Sequence, residues 1–292
     1  MKSALWSIGK YVLAVILLIV ILQHAQTDKI LGYLRQIPPL KLLLSFMLIT
    51  FAQIASGLRM RFFFRAAGFE IHRQFAIVLF YVGAFYNFLL PGGIGGDAYK
   101  VILARKRMNV TAKQGICIML ADRASGLCIL MLAMFAALLM LDFSATIPYA
   151  PALIIACICI TLVAYLFFSR WLMKMPPQVM LKSLPYSLAI QALWIAGLLA
   201  IWSSLGTGSY AIEYIVLYCA ASITGMLPVS VGGLGIKEMT YYAGAQQLQH
   251  FAHSGVDGDL GIAISLCIFF LMFASSLPGL LWLTKVERID HS

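Results

Sequence analysis

Apolar residues run almost unbroken through eight stretches of the chain, at about 11–23, 40–58, 75–90, 114–141, 147–169, 184–203, 211–227 and 260–283. A helix needs about 20 apolar residues to cross a hydrocarbon core of about 30 Å, so each stretch is of spanning or near-spanning length. The pattern predicts an all-α polytopic membrane protein, with residues 1–292 forming one transmembrane domain. No soluble domain of even ~50 residues fits between the stretches. Two of the stretches end in related interruptions. "LPGGIGGDAYK" at 90–100 and "LPVSVGGLGIK" at 227–237 each place a Gly-Gly pair four residues after a Pro and a Lys four residues after the second Gly, 137 residues apart.

Composition agrees with this pattern. The chain is 62% hydrophobic and 11% charged, far outside the balance of a soluble domain. Its net charge of +10 raises nucleic acid as a partner, but the basic residues sit in short loops beside spans, which the positive-inside rule explains better. The first run follows Lys2 and Lys10 and lacks a small-residue cleavage site after it, so it reads as a retained span. All six cysteines lie in apolar runs, where a reduced Cys acts as a small hydrophobe. Cys157 and Cys159 have no partnering pair of ligands, and no metal or other cofactor is expected.

The charge map sets a topology with both termini cytoplasmic. The second run leads into "RMRFFFRAAGFEIHR", and the stretch after 75–90 holds Lys100, Arg105, Lys106, Arg107 and Lys113. If 75–90 crossed the bilayer, that basic stretch would face outward. A hairpin over about 75–109 that enters from the cytoplasm, breaks at Pro91 to Gly96 and returns avoids this. The run 211–227 enters from outside, breaks at Pro228 to Gly235, and 236–250 leads to a Lys-free and Arg-free loop with two Asp, giving a second hairpin over about 211–250. All basic residues then fall on the cytoplasmic side except Lys29, Arg35 and Lys41 outside and Arg123 and Lys237 within the membrane. The result is about six full spans plus two re-entrant broken-helix hairpins related as an inverted repeat. Backbone broken at membrane depth survives only when buried in protein or lining a wet cavity, so the two breaks should face each other.

Beside the breaks lie Asp97, Lys100, Lys237 and Glu238, with Asp122 and Arg123 early in the run 114–141. Charges kept in a membrane are costly and must pair or meet water. Neighbours on a helix point about 100° apart, so Asp122 and Arg123 should find partners elsewhere: Lys100 or Lys237 for Asp122, and Glu238 for Arg123. This network either locks the hairpins together or touches substrate. The glycines Gly95, Gly96, Gly232, Gly233 and Gly235 also admit two readings. They allow close helix packing, or they open half-helix N-termini whose free N–H groups and positive dipole suit a phosphate or carboxylate, helped by a nearby Lys. Asn87 and Thr224, equivalent in the 137-residue offset, stand before the breaks where their side chains could bind freed carbonyls. Tyr86 beside them reads better as core. The "RMRFFFR" stretch reads either as a headgroup site or as snorkelling Arg with an interfacial aromatic belt.

Together "NFLLPGGIGGDAYKVILARK", "ADRASGL" and "LPVSVGGLGIKEM" resemble the flippase-like integral membrane domain of lysylphosphatidylglycerol synthases and related stand-alone membrane proteins, over about residues 40–285. The resemblance implies movement of a lipid between leaflets, broken re-entrant helices, and a homodimer as one arrangement. Pro91, Gly96, Asp97 and Lys100 match the first block, Asp122 and Arg123 the acidic-Arg pair, and Pro228, Gly232, Gly233, Gly235, Lys237 and Glu238 the second block. Asp122 and Lys237 stand where the family more often has Glu and Arg. The soluble aminoacyl-transferase half of the synthases has no counterpart in these residues, so that activity is not carried over.

The expectation is a non-enzymatic lipid flippase or transporter in a bacterial inner membrane. It would move an anionic phospholipid or prenyl-phosphate-linked lipid whose headgroup meets both half-helix ends. The alternatives are a secondary transporter of a small anionic solute and an accessory subunit of a lipid- or glycolipid-modifying system. A membrane-embedded transferase or hydrolase is disfavoured, because neither H-E-x-x-H nor G-x-S-x-G occurs. With no P-loop either, transport would be downhill or coupled to an ion gradient.

Overall fold

In the computed structural model, residues 26–89, 95–143, 146–205, 210–227 and 232–282 are described; the run at 11–23, Pro91 and Pro228 lie outside them. The described residues form ten α-helices and no strand: α1 Thr27–Gln36, α2 Pro39–Ala66, α3 Arg73–Leu89, α4 Gly95–Met108, α5 Ala112–Leu138, α6 Ala150–Trp171, α7 Pro177–Trp202, α8 Ala211–Thr224, α9 Ile236–Phe251 and α10 Gly258–Ser276. Helices α2, α5, α6 and α7, with the segment Gly258–Trp282 that contains α10, are long and apolar enough to cross a membrane. The protein is therefore an all-α polytopic membrane protein. These are five of the six expected full spans, and the sixth falls on the run at 11–23.

Local chemistry starts the long helices where they start. Proline at the first position opens α2 and α7, where its missing N–H costs nothing. Thr111 and Gln114 form a capping box at the head of α5, and Asp257 caps α10. Helix α2 continues past residue 58, where a loop was expected, to Ala66, and Gly68 just beyond it has a φ of +88°, which suits a glycine. "RMRFFFR" is thus helical. Its Met60, Phe63 and Phe64 are fully buried in the core, so the interfacial belt reading fails for them. Residues 27–36, expected as loop, form the short helix α1, whose Ile30 is buried against α10.

Contacts sort the connections into two groups at opposite ends of the bundle. At one end Arg61 Nε donates to the Ile71 carbonyl at 2.9 Å, the Arg107 guanidinium lies 5.1 Å from the Phe75 ring, and Phe69, Lys113, Lys174 and Pro176 line one hollow. At the other, Lys29 pairs with Asp257 at 2.8 Å, Lys41 Nζ donates to Ser203 at 3.1 Å, and Ser254 donates to Glu213 at 3.0 Å. Helix α2, with 28 residues and about 42 Å long, joins the two. Together α2, α5 and α7 run through two apolar cores. One holds Met60, Phe63, Ile118 and Met180, and the other holds Ile49, Leu130, Leu198 and Tyr214.

Each broken segment is an antiparallel hairpin built on one of those cores. The outer ends of α3 and α4 lie at the Arg-rich end, and those of α8 and α9 at the Asp-rich end. Their helices have 17, 14, 14 and 16 residues, or about 21–26 Å, short of a full ~30 Å crossing. Across the first hairpin Asn87 Oδ1 accepts the Gly96 N–H at 3.0 Å, and the Lys100 stem lies over Gly83. Across the second, the Thr224 and Thr240 hydroxyls are 2.8 Å apart. The described end of the second break packs against α3 and α10. A Cβ on Gly232 would stand 3.1 Å from both the Phe88 and Phe269 rings, and those rings pack with centroids 5.5 Å apart.

The two breaks are not copies. Helix α4 starts at Gly95, whose equivalent is Gly232, but α9 starts only at Ile236. The intervening Gly232, Gly233 and Gly235 have φ of +61°, +87° and +86°, a region costly for any other residue. In the first hairpin the demand is closeness: a Cβ on Gly96 would overlap the Gly83 carbonyl oxygen and lie 2.7 Å from Asn87 Oδ1.

Two outcomes follow for this frame. Gly96→Ala forces α3 and α4 apart and should cost about 1–3 kcal/mol, read as a lower thermal midpoint in detergent; an unchanged midpoint would contradict the tight hairpin. At the Asp-rich end, burial pushes the Asp257 carboxyl up, but hydrogen bonds from Lys29 and Tyr33 outweigh it and hold the group below its ordinary 3.8. A depressed carboxyl contributes stability above its unfolded value and loses it as pH falls through the folded one. The stability gap between the wild type and Asp257→Asn should therefore be full at neutral pH and close below pH 3.8.

Candidate functional site

The first hairpin carries the densest charge cluster. Asp97, in the first turn of α4, is 9% exposed. Its Oδ1 accepts from Lys100 Nζ at 3.1 Å, and its Oδ2 accepts from Arg123 Nε on α5. Lys100 is 4% exposed and is held from three sides: by Asp97, by the Phe80 ring 4.6 Å from its ammonium, and by the backbone of Gly83 beneath its stem. The side chain of Arg123 is one-third exposed, at 34%.

Asp122 turns the other way, as a 100° step requires, and its partner corrects the expectation. It pairs with neither Lys100 nor Lys237 but with Arg59 of α2, through Arg59 Nε at 2.8 Å and Nη2 at 3.2 Å. Arg59 Nη1 continues to Ser187 at 2.9 Å. From there hydroxyls link Ser187 to Ser125 at 2.6 Å, Ser125 to Ser183 at 2.7 Å, and Ser183 to Tyr165 at 3.2 Å. This buried ladder ties α2, α5, α6 and α7. Arg59 was thus misread as an interfacial arginine, and the headgroup and snorkelling readings of "RMRFFFR" do not hold for it. The signal lay in spacing: Ser45, Ala52 and Arg59, with Ile49, Ser56 and Phe63, repeat every seven residues along one buried face.

The second break holds a further correction. Glu238 does not reach Arg123. Its Oε2 accepts the Gly235 N–H at 2.7 Å, and its Oε1 accepts the Ser265 hydroxyl at 2.7 Å, so it caps its own half-helix. The Lys237 ammonium makes no hydrogen bond or ion pair among the described residues, and its stem lies between Gly225 and Gly233. Both half-helix ends thus carry a carboxylate from the chain itself, Asp97 in the first turn of α4 and Glu238 at α9. Asn87 engages an amide, where a carbonyl was expected, while Thr224 does bond a carbonyl, that of Ala221, at 3.1 Å. Tyr86 stacks on Tyr99 with centroids 4.3 Å apart, in line with a core role.

Between α4 and α5 runs a groove of about 730 Å³ lined by Val101, Ile102, Ile116, Met119, Leu120 and Leu127, with Asp97, Arg105 and Arg123 as its charged groups. Ile102 and Ile116 are half exposed, so the groove opens onto the apolar flank of the bundle. One end reaches Met173 near the Arg-rich end, and Met226 of the second hairpin also lines it. No sequence signal announced this groove, because it depends on how α4 diverges from α5.

The sequence matches, over residues 7–279, the family described as Lysylphosphatidylglycerol synthase TM region. The chain belongs to this family. Among curated proteins none matches it. Membership of the family points to a role connected with membrane lipids, and the groove with its charged wall lies inside the matched span.

The Arg59–Asp122 pair makes a structural prediction for this family member. Stripping one partner from a buried ion pair strands the other charge, at a cost of about 3–5 kcal/mol, whereas replacing both by apolar groups is often neutral. Arg59→Met and Asp122→Leu should each lower the thermal midpoint sharply, and the double variant should recover most of the loss. A double variant as unstable as the sum of the singles would show that the pair does not act as a unit.

Proposed function

We propose that the protein is a lipid flippase or transporter that moves an anionic lipid between leaflets of a bacterial inner membrane, without itself being an enzyme. The observation that carries this reading is the groove between α4 and α5: apolar along its length, open on the bundle's flank, and charged at Arg123 and Arg105. An acyl or prenyl chain suits the apolar wall, and a phosphate suits the guanidinium. A small hydrophilic anion would leave the apolar wall facing water, which disfavours the solute-transporter alternative. On this reading the two hairpins are re-entrant, both termini are cytoplasmic, the Arg-rich end faces the cytoplasm, and the site comprises Asp97, Lys100, Arg123 and Lys237 around the meeting breaks.

Reconstitution in liposomes with tail-labelled lipids tests it. The wild type should exchange labelled phosphatidylglycerol between leaflets faster than empty vesicles do, and Arg123→Ala should lower that rate at least tenfold while the protein stays folded. No exchange of any anionic or prenyl-phosphate lipid would sink the proposal. A reporter fused after residue 109 should be cytoplasmic, and an external signal there would overturn the first re-entrant hairpin.

A further inference from the structure

The anion-binding place at the head of α4 is already filled by the chain's own carboxylate. Asp97 combines three features that a lipid phosphate would also seek: the first turn of a half-helix, the Lys100 ammonium and the Arg123 guanidinium. Both Asp97 and Arg123 line the groove, so an incoming headgroup meets an arginine that is in use. Its two cations differ in exposure. Lys100 is buried beside Phe80 and Gly83, whereas Arg123 is one-third exposed on the groove wall.

We propose that Asp97 is an internal stand-in for the lipid's anionic group, holding Arg123 while the groove is empty and yielding it to a phosphate when lipid enters. This rests on the reading of the groove as a lipid site. The exchange replaces one guanidinium–anion pair with another, so no buried charge is stranded: Asp97 keeps Lys100, and Arg123 gains the phosphate. Release runs the exchange backwards, with the carboxylate retaking Arg123 as the lipid leaves. Asp97 thereby sets how tightly the headgroup is held and keeps Arg123 from retaining it. Lys100 is a positioning residue, since it stabilises the carboxylate during the interval without Arg123.

The two residues therefore have opposite effects on binding, which a purely structural cluster would not produce. In Asp97→Asn the competitor is gone, so the protein should bind the phosphate group more tightly and release it more slowly. In Lys100→Met the carboxylate has only Arg123 left, so binding should weaken. Asp97→Glu keeps a carboxylate and should resemble the wild type more than Asp97→Asn does.

The test uses the full chain in nanodiscs, with tail-labelled phosphatidylglycerol as probe, tail-labelled diacylglycerol as a phosphate-free control, and inorganic phosphate as competitor. Each variant's thermal midpoint is recorded alongside. The expected result is tenfold or more tighter binding and a slower off-rate for Asp97→Asn, and tenfold or more weaker binding for Lys100→Met. Competition by millimolar phosphate would assign the site to the free ion, and its absence to the lipid. If the wild type binds neither lipid nor phosphate, the groove reading fails and this inference with it. If it binds but Asp97→Asn does not tighten binding, or Lys100→Met does not weaken it, the stand-in role alone is overturned. Should Asp97→Asn fail to fold, Lys100→Met and Asp97→Glu decide the matter, and a Lys100→Met that binds as well as the wild type overturns the proposal.

Discussion

Breaking a helix inside an apolar bundle strands backbone N–H groups and charged side chains where water cannot answer them, at several kcal/mol per group. The fold meets that demand from within. Asn87 takes the Gly96 N–H, Glu238 takes the Gly235 N–H, and Asp97 bridges Lys100 and Arg123. These contacts tie the short helices beside the breaks into a frame of long helices. The Arg59–Asp122 pair and its serine ladder do the same for the frame, joining four helices through one buried polar path.

The hairpins resemble each other in sequence yet solve the closure problem differently. The first closes by proximity, with Gly83 and Gly96 letting α3 and α4 touch. In the second, backbone conformation does the work, since three glycines with positive φ keep Gly232–Gly235 out of α9, whereas the equivalent Gly95–Ala98 are helical in α4. Lys100 consequently reaches back to a carboxylate in its own first turn. Lys237 has Leu234 where Asp97 would be, and it is left without an ion-pair partner among the described residues. Two segments near-equivalent in sequence thus differ in structure, and the groove lies on the side of the first.

Much of this architecture was legible in the sequence because the bilayer constrains it strongly. The placement of basic residues predicts that both segments turn back, and the cost of broken backbone predicts that the breaks lie close together; Gly232 lies against Phe88 of α3. Pairing was far less legible. Arg59 stood in a basic, aromatic stretch that looked interfacial, and only the continuation of α2 past residue 58 carries it into the core beside Asp122. Glu238 and Arg123 were matched by charge, although Glu238 had a nearer claim in the amide three residues before it. Local capping and helix continuation, settled over a few residues, decided which charges remained for longer-range pairs. Groove shape was not legible at all, since it depends on how α4 packs against α5.

A structure determined in nanodiscs of anionic phospholipid would test the central claim, that the groove takes a lipid whose phosphate replaces Asp97 on Arg123. The account predicts an acyl chain along Ile116, Leu120 and Leu127, a phosphate against the Arg123 guanidinium, and the Asp97 carboxylate remaining on Lys100 alone. A groove empty of lipid, or one holding a chain whose phosphate lies elsewhere while Arg123 stays on Asp97, would contradict it.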